Sequence, residues 1–324
     1  MKPTPVTTGY SNYDNRRVNE ARGRSVVNEL PIVVTCTDRK ASPPATALRA
    51  RDLPAADLPE KAAEWERRLR VAPEGRVELA HLYQGDQWRR AQALAAAATH
   101  AGFAPRLYVA SAGLGLRSVS SLAPSYAATF VSRHADSVAS SSSQAADWWD
   151  LLQRMDESRN LSKIAASVGR ILVVLSETYA QAMHRDLLAL AASGADTVLI
   201  GGACDLDGVL RIPANAALRN VLGGTLTSLN ARMAAAWLQH CTPGHLITPA
   251  AKERWTTWVD QAARPERYAR TPMSDDEVIA FIKDMKRRYP DASRTRLLRL
   301  LRDKGMACEQ KRFAGLYSST IGQR

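Results

Sequence analysis

A carboxylate followed directly by two cationic residues is the first candidate for chemistry in this chain. Asp38 stands in the run Cys36–Lys40 (Cys-Thr-Asp-Arg-Lys), directly after a short apolar stretch. Neighbouring cations favour the charged form of a carboxyl group, so Asp38 is expected to stay ionised near neutral pH. An ionised carboxylate at a strand end can orient water or stabilise a cationic transition state, and Lys40 is suited to hold a phosphate. Taken by itself, the motif is more typical of an ordinary polar turn.

Glycine-containing loops supply further candidates, because a residue without a side chain lets a ligand approach the backbone closely. The run Ser111–Leu116 lacks the third glycine of a dinucleotide-binding fingerprint, and the chain has no GxxxxGK[ST] motif of ATPases. A second glycine-containing loop, Gly201–Asp205, ends in another candidate carboxylate, Asp205. Thr225, after Gly224, is placed to cap a helix whose first N–H groups could receive an anion. Ordinary helix capping is the alternative there.

Four short apolar runs precede these loops and predict the strands that position them. They are Pro31–Thr35, Arg106–Ala110, Ile171–Leu175 and Thr197–Gly201. Their nearly continuous apolar character is typical of strands buried on both faces of a parallel sheet. Helical patterns lie between them, at Pro59–Val71, Asp86–Ala101, Ala145–Val168 and Glu177–Ser193. The sequence therefore predicts an α/β domain over residues 30–262, with a four-stranded parallel sheet flanked by helices. Ligands bind at the carboxyl ends of such strands, where the candidate residues fall.

The C-terminal residues 273–324 predict a small helical module after a proline-containing boundary near residues 263–273. Ser274 and Glu277 form a capping box that starts its first helix. A second helix is expected to begin near Ser293 and to end at a glycine, and a third follows it. Helix, short glycine-containing turn and helix is the outline of a helix-turn-helix.

The positive charge of the chain is concentrated in this module. Residues 264–324 hold 15 Lys or Arg against 8 Asp or Glu, which is more than half of the net charge of +12. A clustered basic surface favours phosphate backbones, which predicts nucleic acid as the partner, DNA in preference to RNA. The expected phosphate contacts are Arg294, Arg296, Arg299, Lys311 and Arg312. A three-helix packing domain with a solvated basic face is the alternative.

The composition limits the other possibilities. Hydrophobic residues make up 45% of the 324 residues, enough to bury a core, and no apolar run approaches the length of a membrane span. Residues 1–29 are polar and predict a flexible arm rather than a signal peptide, so we expect a cytoplasmic protein with no membrane partner. The four cysteines lie far apart, so neither a metal nor another cofactor is expected. The sequence indicates no obligate protein partner.

Several of these pieces together resemble a known group of proteins. A strand ending in Cys36–Lys40, the run Leu82–Gly85 before a helix, and Ala110–Leu116 followed by Tyr126 resemble uracil-DNA-glycosylase-like domains. The similarity covers about residues 31–240. It is to the domains of archaeosine-synthase-type proteins and of bacterial antiphage DNA glycosylases that excise bulky modified bases. It implies a base that is flipped out of the helix into a pocket, where its N-glycosidic bond is cleaved.

The resemblance also implies roles for the candidate residues. Asp38 matches the place where the family often keeps polar catalytic residues, and Asp205 is the second carboxylate. Tyr83 or Tyr126 would stack on the base. The residues expected to contact the base are Thr37, Tyr83, Ser111, Gly113, Gly115, Tyr126 and Asn230. Those expected to contact phosphate in this domain are Lys40, Gly224 and Thr225.

Three functions fit this sequence. The first is a DNA glycosylase in antiphage defence that acts on a modified base, for example a glucosylated pyrimidine, while the C-terminal module holds the duplex. The second is a transferase or lyase that acts on 7-deazaguanine-type bases in tRNA or DNA. The third is a non-enzymatic DNA-binding regulator whose α/β domain senses a nucleotide or base.

Overall fold

The computed structural model describes residues 28–72, 75–154, 160–264 and 271–321. The chain divides into two compact units, Met1–Arg264 and Pro265–Arg324. This division falls within the stretch where the prolines predict a domain boundary. The predicted N-terminal arm lies outside the described residues except for its last two positions, and Glu29 already belongs to the first strand.

Strands and helices alternate along the described part of the first unit. Its strands are β1 (Glu29–Thr35), β2 (Val77–Glu78), β3 (Ala104–Ser111), β4 (Gly115–Ser118), β5 (Leu122–Ala123), β6 (Arg170–Leu175), β7 (Asp196–Gly201) and β8 (Val209–Ile212). Its α-helices are α1 (Leu58–Val71), α2 (Leu79–Leu82), α3 (Asp86–His100), α4 (Ser142–Arg154), α5 (Leu161–Ala166), α6 (Glu177–Ala182), α7 (His184–Ala191), α8 (Arg219–Leu222), α9 (Leu229–His240) and α10 (Pro249–Ala262). Short 3-10 turns lie at Thr46–Leu48, Ala50–Asp52, Ala216–Leu218 and Leu226–Ser228.

The central sheet has six strands in the order β4-β3-β1-β6-β7-β8. All neighbours are parallel except β4, which pairs antiparallel with β3 at one edge. The α/β class and the four predicted strands are confirmed, and these strands form the centre of the sheet. The expected number of strands was wrong, because β4 and β8 are four-residue edge strands that each contain an arginine and lack a continuous apolar run.

The strand order fixes where a ligand can bind. The five parallel strands follow the doubly wound order, in which the second strand lies on one side of the first and the third lies on the other. The crossovers therefore change direction between β1 and β6. In open α/β sheets this is the point at which the crevice outside the carboxyl ends binds ligands. In this chain β1 leads there into the run Cys36–Lys40, and β6 leads into Ser176.

Helices flank the sheet in two groups. The helices α3, α9 and α10 pack together, while α1 and α4 to α7 form the second group. The helix predicted over Ala145–Val168 is two helices, and Asn160 starts the second by accepting a hydrogen bond from the backbone of Lys163. The helix predicted over Glu177–Ser193 is interrupted at Met183. No helix among the described residues is both long and apolar enough to cross a membrane.

The second unit is a three-helix unit with its own core. Its elements are β9 (Thr271–Pro272), α11 (Asp275–Arg288), α12 (Arg294–Asp303), β10 (Met306–Ala307) and α13 (Gln310–Ile321). Ser274 and Glu277 form the predicted capping box before α11. The short strands β9 and β10 pair in parallel and bring the turn before α13 beside the start of the unit. Its core comes from apolar side chains of all three helices, among them Ile282, Leu297 and Phe313.

Candidate functional site

A cavity of about 350 Å³ opens beyond the carboxyl end of β1, and we call it the β1 pocket. One wall is the loop after β1, and the other is the segment 126–136, which we call the strap. Its polar and charged lining comes from Asp38, Lys40, Ser42, Arg49, Arg51, Tyr126, His134 and Asp136. Two carboxylates therefore share this pocket with a lysine and two arginines.

Backbone pairing holds the parts of the pocket in place. The backbone N–H of Ala50 donates to the carbonyl oxygen of Ala127 (2.8 Å), and the N–H of Ala127 donates to that of Leu48 (2.8 Å). These bonds place Arg49 and Arg51 beside the strap. The Ser125 hydroxyl donates to the backbone carbonyl of Ser42 (2.6 Å), which joins the strap to the loop after β1. The pocket is thus formed by the loop after β1, the 3-10 turns and the strap, which these hydrogen bonds hold together.

Asp136 is a structural carboxylate that anchors the strap to Arg51. Its side chain is 3% exposed, and both of its oxygens accept hydrogen bonds from the Arg51 guanidinium, with Nε at 2.8 Å from Oδ1. These hydrogen bonds keep the pKa of Asp136 below its usual range, although burial acts in the opposite direction. Asp136 is therefore charged and already paired at neutral pH, so it is not available as a base.

Asp38 is the carboxylate of the pocket that is open to a substrate. Its side chain is exposed, and no described Lys or Arg forms an ion pair with it. The Lys40 ammonium donates to the backbone carbonyls of Asp38 (3.0 Å) and Thr37 (3.2 Å). The Asp38 carboxylate is left free to accept hydrogen bonds from water or from a ligand.

Four of the residues expected to contact the base are buried beside the pocket, and Tyr126 among them also lines it. The hydroxyls of Tyr83 and Tyr126 share a hydrogen bond of 2.6 Å, and the Ser111 hydroxyl bonds to Tyr126 at 2.5 Å. Ser111 also accepts from two backbone N–H groups of the following turn. Thr37 is buried too, and its hydroxyl lies within hydrogen-bond distance of the Arg39 and Gln84 carbonyls. All four side chains are under 9% exposed, so their burial does not favour stacking on or reading a base, and that contact stays a prediction.

The two glycines after β3 shape the interior rather than a ligand site. A Cβ atom on Gly113 would lie 2.5 Å from two carbon atoms of the Tyr126 ring, so the ring packs directly on this backbone. Gly115 has φ = +69° and begins β4, and a Cβ there would meet the Gln153 amide oxygen at 2.7 Å. At both positions the absence of a side chain makes room for protein side chains, and contact with a base stays a prediction.

Asn230 lies at a smaller polar crevice between β1 and β6. Its amide nitrogen donates to the Leu175 carbonyl at the end of β6 (2.9 Å). The Gln87 amide nitrogen donates to the Thr35 hydroxyl across the crevice (2.8 Å), and Ser176 completes the polar lining. The cavity is about 40 Å³, which holds water but is far below the size of a ligand pocket.

The remaining predicted residues of the first unit lie apart from the β1 pocket. The Asp205 side chain is 87% exposed and pairs with Arg211 (3.0 Å). Gly224 lies against a guanidinium, since a Cβ there would be 2.4 Å from Arg232 Nη2. The hydroxyl of Thr225 caps no helix; it bonds to that of Thr227 (2.8 Å), and α9 begins only at Leu229. Neither the second carboxylate nor this predicted anion site joins Asp38.

Arg49, Arg51, His134 and Asp136 complete the pocket, and the sequence prediction missed them. The backbone N–H of Asp136 donates to Nδ1 of His134 (3.1 Å), so the neutral ring carries its proton on Nε2. The polar run of residues 132–136 between apolar Phe130 and Val138 was the available signal for the strap. Nothing in the sequence links the strap to Arg51, because Arg51 and its partner Asp136 are 85 residues apart.

A larger cavity, of about 540 Å³, is less suited to chemistry. It is lined by the end of α1, the turn between β3 and β4, and β5. Its one carboxylate among the described lining residues, Glu66, pairs with Arg70. Arg76 donates to the backbone carbonyl of Leu69 (2.6 Å). The cavity therefore offers no free carboxylate among the residues that the structure describes.

The second unit has a basic cleft of about 230 Å³ between α12 and α13. Three arginines line it together with Gln310 and Phe313, namely Arg294, Arg299 and Arg302. Arg299 reaches Asp303 only at 3.9 Å, and both side chains are mostly exposed. The positive charge of this cleft is therefore accessible to solvent.

The other predicted phosphate contacts of this unit differ in availability. Arg312 stabilises the fold of this unit, because it pairs with Asp275 and donates to the Met273 carbonyl (2.9 Å). Lys311 is exposed, and the Arg296 guanidinium lies 5.9 Å from the Tyr289 ring centroid. Arg312 therefore fits a phosphate contact poorly, whereas Lys311 and Arg296 stay accessible.

No three His, Cys, Asp or Glu side chains of the described ranges gather where they could share a metal ion. Compared with known proteins, the chain matches no protein family, no curated protein and no solved structure.

Proposed function

We propose that this protein is a DNA glycosylase that hydrolyses the N-glycosidic bond of a modified base held in the β1 pocket. The observation that carries the proposal is the unpaired Asp38 carboxylate in a cavity whose other charged groups are cationic or already paired. The volume of about 350 Å³ falls in the range of small-molecule pockets, so a flipped nucleotide is a suitable ligand. Its position beyond the carboxyl end of a central parallel strand supports the same assignment.

The chemistry follows from the free carboxylate. As the N-glycosidic bond breaks, positive charge develops on the sugar, and an adjacent carboxylate stabilises it. Asp38 also accepts a hydrogen bond from the water that attacks C1′ and takes its proton, while the base leaves with the bonding electron pair. Arg49 and His134 supply N–H donors for the phosphates that flank the flipped sugar.

The charge of the second unit supports a nucleic-acid polymer as the substrate. The basic cleft between α12 and α13 supports binding of a phosphate backbone, which leaves the first unit to select the base. We favour a bulky modified base such as a glucosylated pyrimidine of phage DNA, which would place the protein in antiphage defence.

The test is a count of abasic sites after incubation of the protein with glucosylated and with unmodified phage DNA. We expect abasic sites on the modified DNA, and mass spectrometry should find the released base in free form. Asp38→Asn should abolish base release while DNA binding is retained, because the substitution removes the charge and keeps the shape. The matched control is Asp205→Asn, an exposed carboxylate outside the pocket, which should keep full activity.

Two outcomes would contradict the proposal. Absence of both released base and abasic sites on the two DNAs would contradict the glycosylase. An exchanged base in the polymer, in place of a free base, would identify a transferase.

A further inference from the structure

Lys40 is a second ionisable residue that lines the β1 pocket, together with Asp38. Its side chain is half-buried, and its Nζ lies 4.5 Å from the centroid of the Tyr126 ring. Nζ donates to two backbone carbonyls, those of Thr37 (3.2 Å) and Asp38 (3.0 Å). No described carboxylate pairs with it. These contacts therefore fix the amine in the wall of the pocket. A lysine that binds phosphate would instead extend its side chain into solvent.

The contacts of Lys40 suit a neutral amine as well as an ammonium ion. A neutral amine has two N–H bonds and one lone pair, and the two carbonyls satisfy both N–H bonds. The lone pair is then left as a nucleophile. The Tyr126 ring on the other side accommodates the ammonium form, so a proton can leave and return without disturbing the packing. Burial lowers the pKa of Lys40 from its ordinary value, against the opposing effect of Cys36, Asp38 and Asp136.

We propose that Lys40 attacks C1′ of the abasic sugar, so that the protein also cleaves the DNA strand at the site it creates. This inference rests on the proposed function, since it uses the product of base release. The amine adds to the C1′ aldehyde of the ring-opened sugar, and loss of one water gives a protonated imine. The imine acidifies the C2′ hydrogen, which the Asp38 carboxylate removes as a proton. The electron pair forms a double bond between C2′ and C3′, and the bond from C3′ to the phosphate oxygen breaks. Water then hydrolyses the imine, which restores Lys40 and leaves an unsaturated aldehyde on the strand end.

The test uses the full-length protein, duplex DNA with one preformed abasic site, and borohydride as the trapping reductant. Borohydride reduces the imine to a stable amine, so a covalent protein–DNA adduct should form. Mass spectrometry of the digested adduct should place the sugar on Lys40. Without borohydride, the strand should break and carry the unsaturated aldehyde. The yield of adduct should rise as the pH is raised toward the lowered pKa of Lys40, because the share of neutral amine grows.

Two variants separate this amine from the other lysines. Lys40→Arg keeps a cation that can donate to the same carbonyls but forms no imine, so it should abolish the adduct and the strand cleavage. Lys252→Arg changes an exposed lysine of α10 in the same way and should keep both. Equal DNA binding by both variants shows that a missing adduct is not caused by misfolding, and the peptide mapping of the unaltered protein does not depend on any variant.

Each outcome bears on one of the two proposals. No adduct on the preformed abasic site, an adduct mapped to another residue, or one that persists in Lys40→Arg would overturn the role of Lys40. Base release from glucosylated DNA without strand cleavage would do the same, while it supports the glycosylase. An adduct on Lys40 without any base release would support the amine nucleophile and contradict the proposed base excision.

Discussion

Tyr126 connects the buried interior of the first unit to the β1 pocket. Its hydroxyl is held by Tyr83 and Ser111, while one face of its ring lies near the Lys40 amine. Burial raises the pKa of both tyrosines, so their hydroxyls stay protonated across the physiological range. A ring fixed in this way positions Lys40. The hydrogen bonds of Lys40 to the carbonyls of Thr37 and Asp38 in turn position the loop that carries Asp38. Tyr83 and Tyr126 were expected to stack on a base, because the sequence does not show that their hydroxyls bond to each other.

Gly113→Ala tests this packing, since the added Cβ would meet the Tyr126 ring at 2.5 Å. The ring cannot turn away without breaking its hydroxyl bonds. We expect the free energy of unfolding of the first unit to fall by about 1–3 kcal/mol, as for overpacked cores. All seven tryptophans lie between Trp65 and Trp258, so tryptophan fluorescence during urea unfolding reports on this unit alone.

The matched control for this change is Gly315→Ala, because Gly315 has open space around it and lies in α13 of the other unit. It should leave the fluorescence transition unchanged. A Gly113→Ala protein with an unchanged transition would mean that the ring is not packed on this backbone.

At the scale of whole elements, the strands were predicted best. The buried strands β1, β6 and β7 are continuous apolar runs, because both faces of a parallel strand are covered by helices. The edge strands β4 and β8 have polar residues and only one neighbour, so they lack that pattern. The position of Asp38 after β1 followed from the same rule, since the carboxyl ends of parallel strands bind ligands.

The strap is the element that the sequence could not place. It joins the pocket through one ion pair, between Arg51 and Asp136, and through backbone bonds to the 3-10 turns. Neither interaction has a local pattern in the sequence, because side-chain periodicity reports only on neighbouring residues. The pocket was therefore predicted on one side, at the loop that carries Asp38 and Lys40, and missed on the other.

The helices α12 and α13 lead to a prediction about DNA binding. Reversing two charges of their cleft, Arg294→Glu with Arg299→Glu, should weaken binding of duplex DNA of any sequence. The slope of log Kd against log salt concentration should fall by about two, because each of the two arginines neutralises one phosphate. Fluorescence anisotropy of a labelled duplex over a series of salt concentrations measures both quantities.

The control carries the same change in net charge on α11, through Lys283→Glu with Arg287→Glu. If the cleft is the contact surface, this control keeps most of the salt slope. Equal weakening in the two proteins would show that net charge, and not the cleft, governs binding.

For the molecule as a whole, the proposed function divides recognition between the two units. The first unit holds the free carboxylate and the fixed amine, and the second holds a cleft with accessible arginines. Each unit has its own hydrophobic core, so a surface substitution in one does not unfold the other. Interactions that hold the polymer equally in the ground state and in the transition state affect KM, while groups that act on the reacting sugar affect kcat.

This division predicts opposite kinetic defects in the two units. The cleft variant with Arg294→Glu and Arg299→Glu should raise the KM for modified DNA and leave kcat for base release unchanged, because its arginines touch only the backbone. Asp38→Asn should lower kcat by orders of magnitude with the same DNA affinity, since it removes a group that acts on the transition state. Rates of base release over a range of DNA concentrations separate the two effects. In a protein with all three substitutions the free-energy effects should add, as they do for distant and independent sites. A cleft variant that lowers kcat at saturating DNA would instead show that the second unit takes part in the chemical step.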